Sequence, residues 1–329
     1  MNRLFLCAAA LAGAFLITAP SYYGQTATPR VVAYVQLALK NGDLASAAAM
    51  VGQYRRLNGD TPEALEAFSW LARGELAAGD VDEASKDADQ IKQLCQTTLA
   101  TRNLDSEPHL PLALGAAYEV ESEVLIERHQ QTAAIQLLRS ALRTWRGTSL
   151  EDRLQKNLNV LTLEGHPMPL LRETEWIGPK PAPLSTLRGK VVLLFFWAHW
   201  CADCKVEIPV ITQLATEFEP KGLVLIAPTK RYGYTAAEEH AAPATETAFI
   251  QKVYNQLYAQ IPGIQVPLDA GNFERFGAST IPTLVVVDRR GIVKLYHPGV
   301  MEEQALRSAI EPLLSTQNSA RAASANLKR

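Results

Sequence analysis

The sequence predicts a two-domain protein, an all-α array of helical hairpins followed by an α/β domain, and three observations predict it. Residues 30–165 carry apolar stripes at three- and four-residue spacing without a convincing strand. Residues 164–183 concentrate Gly165, Pro167, Pro169, Gly178, Pro179, Pro181 and Pro183, which forbid a long helix and mark a boundary. Beyond it, the unbroken run Val191-Val192-Leu193-Leu194-Phe195-Phe196 reads as a strand buried on both faces. At 329 residues the chain is long enough for both units.

The first residues read as an export signal. Met1-Asn2-Arg3 precedes an apolar run over 4–17, the charged and hydrophobic regions of a secretory signal spanning about 1–21. The run is short for a bilayer span, so export is expected. Ala19-Pro20-Ser21 is not a clean cleavage site, which leaves an uncleaved anchor open, and Cys7 stands too early for lipid attachment. The 34 acidic and 32 basic side chains nearly balance, and no basic face for nucleic acid is expected. Removing the signal leaves Cys95, Cys201 and Cys204, too few for a disulfide framework in an exported protein. Cys95 lies in a helical stretch and reads as a buried, inert thiol, with a third redox cysteine or an intermolecular bridge as the alternatives.

The helical part, residues 30–164, is punctuated at Asn41-Gly42-Asp43, Asn58-Gly59-Asp60-Thr61-Pro62 and Gly79-Asp80. Each break offers glycine for a left-handed helix end and Asp or Thr for the next N-cap. Gly42-Asp43 with Ala47 and Gly79-Asp80 with Ala84 repeat at a spacing of 37, and a fainter copy joins Gln130 to Ala134, with His129 in place of glycine. After a loop over 102–111, helices are expected over 112–128, 132–145 and 150–163, the last opened by a Ser149/Asp152 capping box. The pattern resembles tetratricopeptide arrays, whose stacked pairs grip an extended peptide or a partner domain. A spacer or dimerisation arm is the alternative reading.

In the second domain, 165–315, a short edge strand or hairpin is expected over 170–177. The strand at 191–196 leads to a helix with apolar positions Val206, Ile208, Ile211, Leu214 and Phe218. Strand 223–227, helix 247–260, strand 266–268, a short helix at 272–276, strands 283–288 and 292–296, and a helix at 302–314 follow. Residues 230–244, with Tyr232-Gly233-Tyr234 and Glu238-Glu239, form either an active-site rim or a tolerated insertion. Residues 316–329 are expected to be a disordered tail.

The chemistry sits where the central strand hands over to a helix. Cys201 falls near the helix N-terminus, where unpaired amides and the macrodipole favour a thiolate, and Cys204 lies one turn further on the same face. That arrangement suits dithiol–disulfide exchange. Trp197-Ala198-x-Trp200-Cys201-x-x-Cys204-Lys205, followed by Pro209 and, far downstream, Ile281-Pro282-Thr283, resembles the thioredoxin superfamily. Glu207, Pro209 and the leading Leu187-Arg188-Gly189-Lys190 narrow the resemblance to the TlpA/ResA-like thiol–disulfide oxidoreductases, over residues 166–315.

The resemblance implies a thioredoxin-like fold in a periplasmic protein, with Cys201 attacking, Cys204 resolving, and Cys201–Cys204 as the redox-active disulfide. It implies that Pro282 is a cis-proline whose loop, Ile281 and Thr283 together with Trp200, receives the substrate. Pro209 should kink its helix. No cofactor or metal is called for, but a disulfide-bearing client protein and an upstream dithiol donor are. Many relatives keep a carboxylate six residues before the first cysteine; here that position is Phe195, and Glu207 is the proposed substitute for moving protons. Asp203 replaces the proline often found there, and a carboxylate beside the pair leans towards a reducing couple. His199 reads as a surface residue, with thiolate stabilisation as the lesser option.

Rival readings are a zinc half-site, a disulfide oxidase or isomerase, and a scaffold in which the helices do the work. A peroxiredoxin-like peroxidase is disfavoured, because residues 196–200 lack a Thr/Ser-x-x-Cys context. A copper chaperone would need His297, which stands away from the pair.

Overall fold

The computed structural model describes residues 30–326, so the expected signal at 1–21 lies outside the described residues. Seven helices come first: α1 (Arg30–Lys40), α2 (Leu44–Asn58), α3 (Pro62–Ala77), α4 (Val81–Leu99), α5 (His109–Glu127), α6 (Gln131–Thr144) and α7 (Glu151–Thr162). They pack as three successive hairpins, α1/α2, α3/α4 and α5/α6, with α7 against α5 and α6.

The weak sequence repeat is the repeat of this architecture. Asp43, Asp80 and Gln130 each send a backbone N–H five residues back, to Ala38, Glu75 and Leu125. This is the bond that closes a helix after a left-handed residue. That residue is Gly42, Gly79 and, in the third turn, His129, whose φ of 58° makes it the one non-glycine with positive φ among the described residues. Ala47, Ala84 and Ala134 are fully buried where the second helix of each pair crosses its neighbours. The α1–α2 and α3–α4 turns therefore follow the same local chemistry as α5–α6, with a small strain accepted in the last.

Local corrections follow from caps. The 102–111 loop is shorter than expected: Leu104–Ser106 form one 3₁₀ turn, and α5 starts at His109 because Pro111 fits a first turn, where no N–H is required. The Ser149/Asp152 capping box does not form. The Ser149 amide instead donates to Asp105 Oδ1 at 3.2 Å, which ties the loop to the start of α7.

The second domain contains β1 (Trp176–Ile177), β2 (Val191–Phe196), α8 (Ala202–Phe218), β3 (Leu223–Ile226), α9 (Pro243–Leu257), β4 (Val266–Pro267), α10 (Ala270–Phe276), β5 (Thr283–Val287), β6 (Val293–Pro298) and α11 (Glu303–Asn326). The main sheet has the order β3-β2-β5-β6, with β2 parallel to β3 and antiparallel to β5. The segment over 170–177 is an edge strand rather than a hairpin, since β1 pairs antiparallel with the distant β4. Strand β2 alternates between two cores: Val191, Leu193 and Phe195 face α8, α9 and α11, while Val192, Leu194 and Phe196 face α10. That explains its lack of polar alternation. Helix α11 runs on to Asn326, into the stretch expected as a tail, of which 327–329 lie outside the described residues; the run Ala320-Arg321-Ala322-Ala323 is rich in strong helix formers.

The two domains are joined by more than the linker. Leu163, at the end of α7, belongs to the core beneath α10. Asn159 Nδ2 donates to the Phe276 carbonyl at 2.8 Å, and Gly165 N donates to Val293 O at 2.9 Å.

Candidate active site

Strand β2 delivers Trp197-Ala198-His199-Trp200 to the start of α8, and the approach is held rigidly. Trp197 Nε1 donates to Ala227 O at 2.9 Å, and the buried Thr229 hydroxyl donates to Trp197 O at 2.9 Å. Cys201 is the N-cap of α8 in extended conformation, and its Sγ accepts the Cys204 amide at 2.9 Å. The sulfur thus occupies the position a capping oxygen would take, where helix amides favour negative charge. Cys201 and Cys204 are joined in a disulfide.

Ile281–Pro282 is a cis peptide bond, and the Ile281 carbonyl oxygen lies 3.6 Å from Cys201 Sγ. The downstream loop is therefore brought to the pair, 80 residues away in sequence. Trp200 remains over a third exposed beside it, its ring edge-on to Tyr232 at 5.4 Å. Thr283 has a different place from the one expected: it is fully buried, and its hydroxyl donates to Thr280 O at 2.6 Å. It shapes the loop from inside and presents no side chain to a substrate.

Glu207 is not an exposed helix residue. It is 2% exposed, Oε2 accepts the Met301 amide at 3.3 Å, and Oε1 has no hydrogen-bond partner. Burial pushes its carboxyl above the usual range. Phe195, at the position relatives use for a carboxylate, is fully buried against Tyr258. Asp203 is exposed in the first turn of α8. Cys95 is buried in the helical core, where burial pushes its thiol up to about 12 and disfavours the reactive thiolate.

His199 corrects the surface reading. It is 4% exposed, packed edge-on against Tyr232, Tyr234 and Phe249, with Nε2 3.2 Å from Glu246 Oε1. Burial holds the imidazole below its ordinary value, with Glu246 pulling the other way. Glu246 also accepts the amides of Tyr232 and Gly233, so one carboxylate ties the loop after β3 to the residue two before Cys201. The 230–244 segment is thus a rim anchored to the active site. Glu246 was missed by the sequence reading; the Tyr232-Gly233-Tyr234 cluster was its one visible signal.

A hydroxyl three residues before the nucleophile, as a peroxidase needs, is absent because that position is Ala198. Among the described residues no group of three or more His, Cys, Asp or Glu side chains is placed to share a metal ion. His297 bonds the Val300 carbonyl instead.

A four-stranded mixed sheet flanked by helices, a Cys-x-x-Cys pair capping a helix, and a cis-proline loop against the first sulfur define the C-terminal domain as thioredoxin-like, of the protein thiol–disulfide oxidoreductase class. Residues 165–296 match the model of the AhpC/TSA family. The domain is similar to the thiol:disulfide interchange protein DsbE of Pseudomonas fluorescens biotype C, 27% identical over 147 residues, 44% of this chain and 72% of that protein. It is 25% identical over 135 residues to the thioredoxin-like protein YneN of Bacillus subtilis, 41% of this chain and 72% of that one. A shorter stretch of 54 residues is 41% identical to the thiol-disulfide oxidoreductase ResA of Oceanobacillus iheyensis, covering 16% of this chain and 28% of ResA. Among solved structures, a thiol:disulfide interchange protein DsbE from Chlorobium tepidum aligns at 29% identity and TM-score 0.33, over 40% of this chain and 84% of that one.

Proposed function

We propose that this protein is an exported reductase of disulfides in client proteins, working through the Cys201–Cys204 couple. The observation that carries the reading is Cys201 Sγ at the N-cap of α8, accepting a helix amide and lying beside the Ile281 carbonyl. In the reduced protein the Cys201 thiolate attacks one client sulfur. The client disulfide breaks, one client thiol leaves, and a mixed disulfide forms on Cys201. Cys204 then attacks the Cys201 sulfur, releases the second client thiol and closes the Cys201–Cys204 disulfide. Two electrons have passed to the client, and an upstream dithiol protein restores them. The client lies along the Ile281-Pro282 backbone, pairing with it as an added strand would. Glu207, buried one turn beyond Cys204, takes the proton from the resolving thiol. The carboxylate of Asp203 beside the pair favours the reducing direction. Export rests on the signal-like residues 1–21; among the described residues no helix is long and apolar enough to cross a membrane.

Two measurements test this. Cys204→Ser should accumulate clients disulfide-linked to Cys201, and Cys201→Ser should accumulate none. Equilibration against dithiothreitol or glutathione buffers should give a potential near that of thioredoxin, about −270 mV. A value near about −120 mV would make the protein an oxidant and overturn the reductase assignment.

A further inference from the structure

The helical array and the cis-proline loop share a groove. Its volume is about 530 Å³, and Trp70 and Arg73 of α3, Glu119 of α5, and Arg153 and Lys156 of α7 line it together with Ser279 and Thr280. Thr280 precedes Ile281, whose carbonyl touches Cys201. At about 3.8 Å per Cα step, the Thr280 end of the groove lies within about 10 Å of the reactive sulfur. Helices from the first domain thus wall the approach to the second domain's chemistry.

The wall is rich in charge of both signs. Three cations converge on one carboxylate: Glu119 lies 3.3 Å from Arg73 Nε, 2.9 Å from Arg153 Nη2 and 3.6 Å from Lys156 Nζ. The other acidic side chain on the wall, Glu66, is engaged by His109 Nδ1 at 2.7 Å. The groove lining carries three cations against two carboxylates, with the carboxylate of Glu123 acting on Arg73 and Lys156 from outside the lining. The Arg73 guanidinium sits 4.8 Å from the Trp70 ring centre, and its buried Nε, ion-paired to Glu119 at 3.3 Å, makes no hydrogen bond. An arginine stacked on a half-buried tryptophan is the composition of a binding hot spot, and its planar fork suits a carboxylate.

We propose that this groove is a second part of the client site, selecting polypeptides that carry Asp or Glu two to four residues from the cysteine under attack. The proposal rests on the disulfide-exchange reading above and names its substrate class. The spacing follows from extended chain, at about 3.3 Å per residue, crossing the distance from Cys201 Sγ to the groove. The helical array is then a specificity element that holds the flank of the client while the thioredoxin-like domain holds its cysteine.

The test uses the full chain, reduced, and synthetic peptides whose single cysteine is capped as a mixed disulfide with thionitrobenzoate. Attack by Cys201 on the peptide sulfur expels the coloured thiolate, so the rate is read directly. Peptides carry Glu, Gln or Lys at the flanking positions. Each rate is divided by that of mercaptoethanol with the same peptide, which removes the peptide's own electrostatics. The Glu peptide should exceed the Lys peptide about tenfold at low ionic strength, and the ratio should collapse towards one at about 1 M salt. Arg73→Gln should lower the ratio about fivefold, and Arg73→Glu should invert it, an outcome that simple unfolding cannot produce. Equal normalised rates for the three peptides, or a ratio indifferent to both substitutions, would overturn the groove while leaving disulfide exchange standing. No colour release from any peptide by the wild type would overturn the exchange reading and the groove with it.

Discussion

Glu207 sits one turn beyond Cys204 with one oxygen on the Met301 amide and the other unbonded. A half-satisfied buried carboxylate works against folding. Its carboxyl is raised in the folded state, so the folded chain holds this proton more tightly than the unfolded one does. Any stability it contributes is present below the ordinary carboxylate range and is lost as pH rises through the raised value. At neutral pH Glu207→Gln should therefore raise the melting temperature. The same change should slow release of the mixed disulfide, on the order of 10²-fold if the carboxylate moves the proton. Thermal unfolding and rapid-quench kinetics read the two effects; a resolution step unchanged by the substitution would remove Glu207 from the chemistry. The Cys201–Cys204 disulfide and the cis Ile281–Pro282 bond were legible because their signals are local motifs. His199 was not, because its burial depends on Glu246, 47 residues further on, folding back over it.

At the level of elements, the contact between α7 and α10 carries the domain junction. Gly277 ends α10 at φ 58°, and a Cβ there would fall 2.5 Å from Lys156 N and 2.7 Å from Gln155 C. Both are backbone atoms of α7 and cannot move aside as a side chain can. Gly277→Ala should cost about 2–4 kcal/mol, from left-handed strain together with overpacking. Gly291→Ala, with φ 82° but open space around it, should cost only about 1–2 kcal/mol. Denaturant unfolding separates the two, and the first variant alone should expose the 163–168 junction to protease. The hairpin turns were readable from Gly-Asp pairs, but the Ser149/Asp152 box failed because the Ser149 amide had a better acceptor in Asp105, 44 residues away.

Across the whole molecule, the helical array carries its own pH response. Glu75 faces Asp87, with Glu83 and Asp80 nearby, and burial foremost, then these charges, push its carboxyl up to about 8. A raised carboxyl stabilises the folded form below the ordinary value of 4.5, and that contribution is lost as pH rises towards about 8. The melting temperature of the array should accordingly fall across that window. Glu75→Gln should flatten the dependence and raise the melting temperature at the alkaline end by a few degrees. A profile identical to the wild type would show that the carboxyl is not held protonated. Since α7 is shared by the array's packing and the core beneath α10, loosening the array should also loosen the wall that faces Thr280.

The sequence by itself determined the order of the two domains, the hairpin turns, the strand buried on both faces and the reactive pair. Each of these is written in residues that are neighbours along the chain: a glycine before an aspartate, an apolar run, two cysteines one helical turn apart. The tertiary structure alone decided that Glu207 and His199 are buried, that Thr283 faces inward, and that Trp70 and Arg73 stand beside the cis-proline loop. Those placements join residues separated by tens to hundreds of positions. They follow from how preformed elements exclude water from one another, a property of packed surfaces that no single stretch of sequence carries.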